Sequence, residues 1–180
     1  MLEYMEKKYG ETFTEPEPYG GQHGKEYSMI KVKGGKVKSD GILVRKVWKD
    51  GRCFYQDNYL AYLLRGQIER HIKDLAEPVF GECRVFYKIP EMVFPEDTSA
   101  DMKIEEFLKS SWALVRIYLY VKDGSFNKKE RMEEFCLLLQ EKEYLTGGVV
   151  SWPLNKEHDQ KINEENFMRA AYMGISMRRK

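Results

Sequence analysis

The sequence predicts an α+β domain, a mainly antiparallel sheet of about five to six strands packed with three to four helices. Three observations predict it. Period-two alternation across residues 83–89 and 113–122 marks half-buried strands. Apolar residues recurring every three or four positions from Leu60 to Leu75 mark an amphipathic helix. Strand and helix patterns interleave without a regular βαβ rhythm or a Gly-rich βα turn. No linker, repeat or low-complexity block divides the chain, so residues 1–180 are expected to form a single domain.

Each element follows from local residues. Leu2, Met5 and Tyr9 share one helical face and suit a short amphipathic start. Pro16, Pro18, Gly20, Gly21 and Gly24 punctuate residues 10–24, which read as a loop. Residues 27–33 read as a strand turned by Gly34 and Gly35. The best hairpin signal joins 42–48 to 52–56, because Lys49-Asp50-Gly51 holds the Asp-Gly pair that tolerates positive φ. Asp57 or Asn58 then caps a helix expected to end near Ala76, with Pro78 just beyond it.

Along the next strand Cys83, Val85, Tyr87 and Ile89 alternate with Glu82, Arg84, Phe86 and Lys88. Residues 91–101 hold one proline and four carboxylates, and read as an acidic surface loop. Ile104, Phe107 and Leu108 predict a short helix. Residues 113–122 are the strongest strand: Ala113, Val115, Ile117, Leu119 and Val121 face one way, and Leu114, Arg116, Tyr118, Tyr120 and Lys122 the other. Asn127 with Glu130 resembles a capping box, and the helix it opens carries Met132, Phe135, Cys136 and Leu139 on one face. Gly147 and Gly148 are expected to stop that helix. Residues 149–154 are expected to form an edge strand, since Pro153 cannot donate to a ladder. Asn163 or Asp159 begins a last helix with Phe167, Ala170 and Ala171 inward and a basic tip at 177–180.

Composition excludes several functions. Thirty Lys and Arg against twenty-nine Asp and Glu leave a formal charge of +1, with no global attraction to nucleic acid or anionic membrane. Three cysteines cannot make a disulfide-dense scaffold. No run approaches the roughly 18 apolar residues of a membrane helix. Lys7 and Lys8 follow the first apolar positions instead of preceding them, unlike a signal peptide. The chain is therefore expected to be soluble, either in the cytoplasm or as an extracytoplasmic domain without its anchor.

The motifs of chemistry are sparse. Gly34-Gly35-Lys36 lacks the spacing that wraps amides around phosphate, and Gly20-Gly21-Gln22-His23-Gly24 has neither a strand before it nor a helix after it. No cofactor is expected. His23, His71 and His158 lie far apart, and Cys53, Cys83 and Cys136 form no C-x-x-C, so no metal site is expected. Cys83 and Cys136 fall on apolar faces, as small hydrophobes do. Cys53 in the hairpin with His71 on the following helix is the one thiol–imidazole pair the pattern allows, and it carries the alternative of a small hydrolase or thiol-dependent enzyme. No G-x-S-x-G elbow presents a serine.

Two surfaces suggest binding. Residues 25–52 hold Lys25, Lys31, Lys33, Lys36, Lys38, Arg45, Lys46, Lys49 and Arg52 against Glu26, Asp40 and Asp50, and Tyr27, Trp48 and Tyr55 interleave with this basic surface. This basic hairpin is the alternative of a nucleic-acid or mobile-element accessory factor. The same lysines also suit blunted sheet edges, and nucleic acid is the disfavoured partner. The set Arg116, Tyr118 and Tyr120 forms a binding platform if its sheet face is open, and core if helices cover it.

The run Tyr4-Met5-Glu6-Lys7-Lys8-Tyr9-Gly10-Glu11-Thr12-Phe13 resembles the opening of a group of uncharacterised small proteins from Gram-positive bacteria. In that group a YLEKKYGEEF-type opening precedes a Gly-turned hairpin and an Asp-Asn-Tyr helix start. Here Asp50-Gly51 and Asp57-Asn58-Tyr59 stand in the same order, and the resemblance covers about the first third of the chain. It implies a bacterial protein and, since many members carry an N-terminal anchor, an exported or anchored longer form. It implies no activity, cofactor or catalytic residue. The reading that follows is a non-enzymatic binding or accessory domain whose partner is another protein.

Overall fold

The computed structural model describes residues 1–20, 26–34, 41–122, 127–152, 160–170 and 175–177. In chain order these form α1 (Leu2–Tyr9), β1 (Glu17–Gly20), β2 (Glu26–Ile30), β3 (Ile42–Lys49), β4 (Arg52–Asp57), α2 (Tyr59–Phe80) and β5 (Cys83–Lys88). There follow α3 (Ile104–Lys109), β6 (Arg116–Val121), α4 (Lys128–Glu141), β7 (Gly147–Ser151), α5 (Phe167–Ala170) and β8 (Ile175–Met177). The class is α+β, and the strands divide between two four-stranded sheets. The chain separates into two units, Met1–Leu64 with Pro90–Lys103, and Arg65–Ile89 with Ile104–Lys180.

In the first unit the sheet order is β1-β2-β3-β4, antiparallel throughout. The loop expected at 10–24 is corrected here. Glu17 pairs with Met29 in a fourth strand, and Phe13 bridges Val32. The backbone of β2 needs partners on both sides, and a segment with Pro18 fits at an edge, where its missing N–H is not required. The hairpin forms as its turn residues dictate: Lys49 pairs with Arg52, with Asp50 at φ 51° and Gly51 at φ 71°. The acidic loop expected at 91–101 forms, but it does not lie wholly at the surface. Val93, Phe94 and Thr98 are buried, and among its carboxylates Glu91, Asp97 and Asp101 stay exposed. Gly21, Gly24, Lys25, Gly35, Lys36, Lys38 and Asp40, expected in turns and in the basic hairpin, lie outside the described residues.

In the second unit the order is β5-β6-β7-β8. Cys83, Val85, Tyr87, Ile117, Leu119 and Val121 are buried, as period-two alternation requires. Helix α2 overruns its expected end and contains Pro78. Burial of Val79 and Phe80 holds the last turn, where Phe80 meets Phe135 and Trp152 at ring distances of 5.4 and 6.4 Å. The helix stops at Gly81, at φ 72°, whose N–H returns to Glu77 O at 2.8 Å. Asn127 caps α4 by accepting the Glu130 N–H.

The edge assignment for the next strand is wrong: β7 lies inside the sheet, parallel to β6 and antiparallel to β8. Pro153 lies outside the described residues and β7 ends at Ser151, so the proline does not decide the strand's place. Gly147 and Gly148 begin β7 instead of stopping α4, which ends through Lys142 and Glu143, the latter at φ 59°. At Gly148, φ 153°, a Cβ would stand 1.9 Å from the Ile117 carbonyl oxygen, so the close approach of β6 and β7 demands glycine. Of the basic tip expected at 177–180, Met177 ends the strand Ile175–Met177, while residues 178–180, like Asp159 and Ala171 of the expected last helix, lie outside the described residues.

Candidate functional site

Arg116, Tyr118 and Tyr120 lie on one face of β6, beside Lys88, Phe86 and Arg84 of β5. Arg116 is exposed, Tyr118 half-buried and Tyr120 buried. What lies over the tyrosines is the chain's own segment 160–170. Phe167 stacks on Phe86 at 5.2 Å with 5° between planes and meets Tyr118 edge-on at 5.1 Å. The Tyr120 hydroxyl donates to Phe167 O, and Arg84 donates to Ile162 O at 2.8 Å. Asn163 sets the segment's turn, its side-chain oxygen accepting from the N–H groups of Glu165 and Asn166. Burial pushes the Tyr120 hydroxyl up to about 12.

The thiol–imidazole candidates fall in different units. Cys53 is exposed on β4, and its thiol lies 4.0 Å from Phe54 O. His71 shares a hydrogen bond of 2.9 Å with Tyr144 through Nε2. Burial pushes the Cys83 thiol up to about 12, which suits a packed side chain and not a nucleophile. His23 and His158 lie outside the described residues, and among the described residues no three His, Cys, Asp or Glu converge as metal ligands.

Sequence reasoning missed a polar centre around Asp57. Its fully buried carboxylate accepts from Lys8 Nζ at 2.9 Å, from the Tyr9 hydroxyl at 2.7 Å and from Tyr59 N–H at 3.0 Å. The last bond is the helix cap expected of Asp57; the other two come from α1. Asn58 extends the β3–β4 ladder with its side chain, accepting from Leu43 N–H at 2.9 Å and donating to Pro90 O at 2.9 Å. The Tyr59 hydroxyl donates to Glu11, and its ring meets Tyr9 and Phe13 edge-on at 4.9 and 5.5 Å. Burial, then the Asp57 charge, raise the Tyr9 hydroxyl far above its ordinary value, and burial does the same for Tyr59. The signal available was the pair of polar residues before α2, where a cap needs only one.

This centre joins two of the three stretches that carry the resemblance, residues 4–13 and 57–59. Its carboxylate has three donors and no exposure, so it holds α1 to the hairpin and has no path to a substrate. Open chemistry lies at the other end of the hairpin. Trp48 is 66% exposed, and Lys46 Nζ sits 5.0 Å from its ring centroid. Lys46, Lys49, Arg52 and Cys53 are exposed beside it.

No family model matches the chain, and no curated protein is significantly similar to it in sequence. A crystal structure of a DUF5037 family protein from Ruminococcus gnavus resembles it with a TM-score of 0.50, covering 99% of this chain and 90% of that one at 14% sequence identity. The likeness shows the fold alone. Its source is a Gram-positive bacterium. Among the described residues no helix is long and apolar enough to cross a membrane.

Proposed function

We propose that the chain is a non-enzymatic binding module that makes protein contacts through the end of its β3–β4 hairpin. The observation that carries this is Trp48, two-thirds exposed on a strand whose register is fixed by a two-residue turn. Tryptophan joins large contact area to low side-chain entropy and anchors interfaces when it is presented rigidly. The reactive groups support the same reading. Asp57, Tyr9 and Tyr59 bond to one another or to Glu11, and His71 bonds to Tyr144. On the β6 face, Tyr118 and Tyr120 pack under Phe167, so of the platform anticipated from the sequence Arg116 alone is exposed.

The test is a photo-crosslinking residue, p-benzoylphenylalanine, placed at position 48 and irradiated in an extract of the source cells. A discrete protein adduct, competed away by excess unmodified chain, is the expected result. The same probe at Leu137, 59% exposed on α4, is the control and is expected to label nothing discrete. Equal labelling at the two positions, or none at position 48, overturns the reading.

A further inference from the structure

The hairpin turn dictates which way each backbone group of β4 points. With two residues in the turn, Lys49 and Arg52 exchange hydrogen bonds, as do Val47 with Phe54 and Arg45 with Gln56. Cys53, Tyr55 and Asp57 therefore turn their N–H and C=O groups away from β3. Asp57 shows the direction directly, because its outward carbonyl accepts from Phe94 N–H at 2.9 Å. Among the described residues no backbone group reaches the outward N–H and C=O of Cys53 or Tyr55. β4 is an edge of its sheet.

The side chains along this edge are sorted by face. Arg52 and Phe54 share one face with Arg45 and Lys49; Cys53 and Tyr55 share the other with Lys46 and Trp48. Lys49 and Arg52 stand directly opposite one another, a pairing of like charges that costs stability. Glu96 answers Lys49 at 3.4 Å, while Arg52 has no ion pair among the described residues.

We propose that an extended segment of a protein partner, alternating acidic and apolar residues, adds to β4 as a further strand. This rests on the reading of the hairpin as a binding module and names its partner. The segment's backbone bonds the outward groups of Cys53 and Tyr55. Its carboxylates fall on the face of Arg52 and Lys49, and its apolar residues fall beside Cys53, Tyr55 and Trp48. A second copy of the chain is the wrong occupant, since it would set another Arg45, Lys49 and Arg52 against the first.

The probe is the blocked pentapeptide Ac-Glu-Val-Glu-Val-Glu-NH2, titrated into the isotope-labelled chain. Binding is expected to shift the amide resonances of Cys53 and Tyr55 and slow their exchange with solvent. Cys53→Pro removes an outward donor while leaving the β3–β4 ladder intact, and is expected to abolish binding. Arg52→Glu keeps every backbone group, and is expected to weaken binding by about tenfold or more and to admit the Lys-Val-Lys-Val-Lys analogue instead. Binding indifferent to both variants, equal binding of the lysine peptide to the unaltered chain, or capture of oligothymidine in its place overturns the proposal. A protein adduct at position 48 with no peptide binding overturns strand addition and leaves the binding module standing; neither adduct nor peptide binding overturns both.

Discussion

Each sheet buries a group of tyrosines, and the two groups are held by different forces. In the first unit the Tyr9 and Tyr59 hydroxyls donate to the carboxylates of Asp57 and Glu11, with Lys8 completing the charge balance at Asp57. In the second unit Tyr120 donates to a neutral backbone carbonyl, and Phe86, Tyr118 and Phe167 close around it by ring packing. The first group should be sensitive to charge and indifferent to small changes of volume. The second should be the reverse.

The largest expected effect breaks the first group. Asp57→Asn keeps the volume but leaves the Lys8 ammonium, whose side chain is 14% exposed, without its counter-ion. A loss of about 3 kcal/mol is expected, since a buried charge without its partner is costly. Urea unfolding measures it; a loss below about 1 kcal/mol would show that Lys8 reaches water and that the centre is not held by charge.

Phe167→Ala tests the second group by volume. The ring is 6% exposed and touches Phe86 and Tyr118. A loss of about 2 kcal/mol is expected, below the usual range for a core phenylalanine because the four-residue α5 can settle into the gap. Fluorescence or near-ultraviolet circular dichroism should report a changed environment for Tyr118. An unchanged spectrum and unchanged stability would mean that segment 160–170 does not cover β6.

The alkaline limb of stability separates the groups next. Tyr9, Tyr59 and Tyr120 all titrate above the ordinary value near 10 when folded, Tyr120 at about 12. Below pH 10 both states keep these protons, so the full contribution is present. Above it the unfolded chain ionises first, and stability falls as pH rises, by about 1.4 kcal/mol per pH unit for each tyrosine. Tyr9→Phe should make that slope shallower throughout the accessible range. Tyr120→Phe should do so only up to about pH 12, where the folded hydroxyl also ionises. Identical slopes in both variants would remove the distinction between the two environments.

What the sequence showed in advance follows the same division. Features fixed by a few neighbouring residues were legible: the Asp50-Gly51 turn, the alternation in β5 and β6, the Asn127 cap and Asp57 as a cap for α2. Features that depend on distant segments were not. Lys8 and Tyr9 reach Asp57 across 49 and 48 residues, and nothing in the local pattern of α1 announces it. Alternation in β6 separates its two faces but does not say which of them segment 160–170 will cover. Pro153 drew the edge assignment although the ladder of β7 ends before it, at Ser151.

The smallest expected effect sharpens the comparison by lying outside both groups. Among the described residues no ring contact ties Trp48 to either group; its ring meets the exposed Lys46, and Cys53, also exposed, stands opposite it on β4. Trp48→Ala should therefore change the urea midpoint by no more than about 0.5 kcal/mol in either direction, as an exposed substitution away from special features does. A large aromatic ring that contributes little to folding is available for something else. If the variant instead loses 2 kcal/mol or so, Trp48 is part of the fold in the sense that Phe167 is, and the case for an open hairpin end weakens with it.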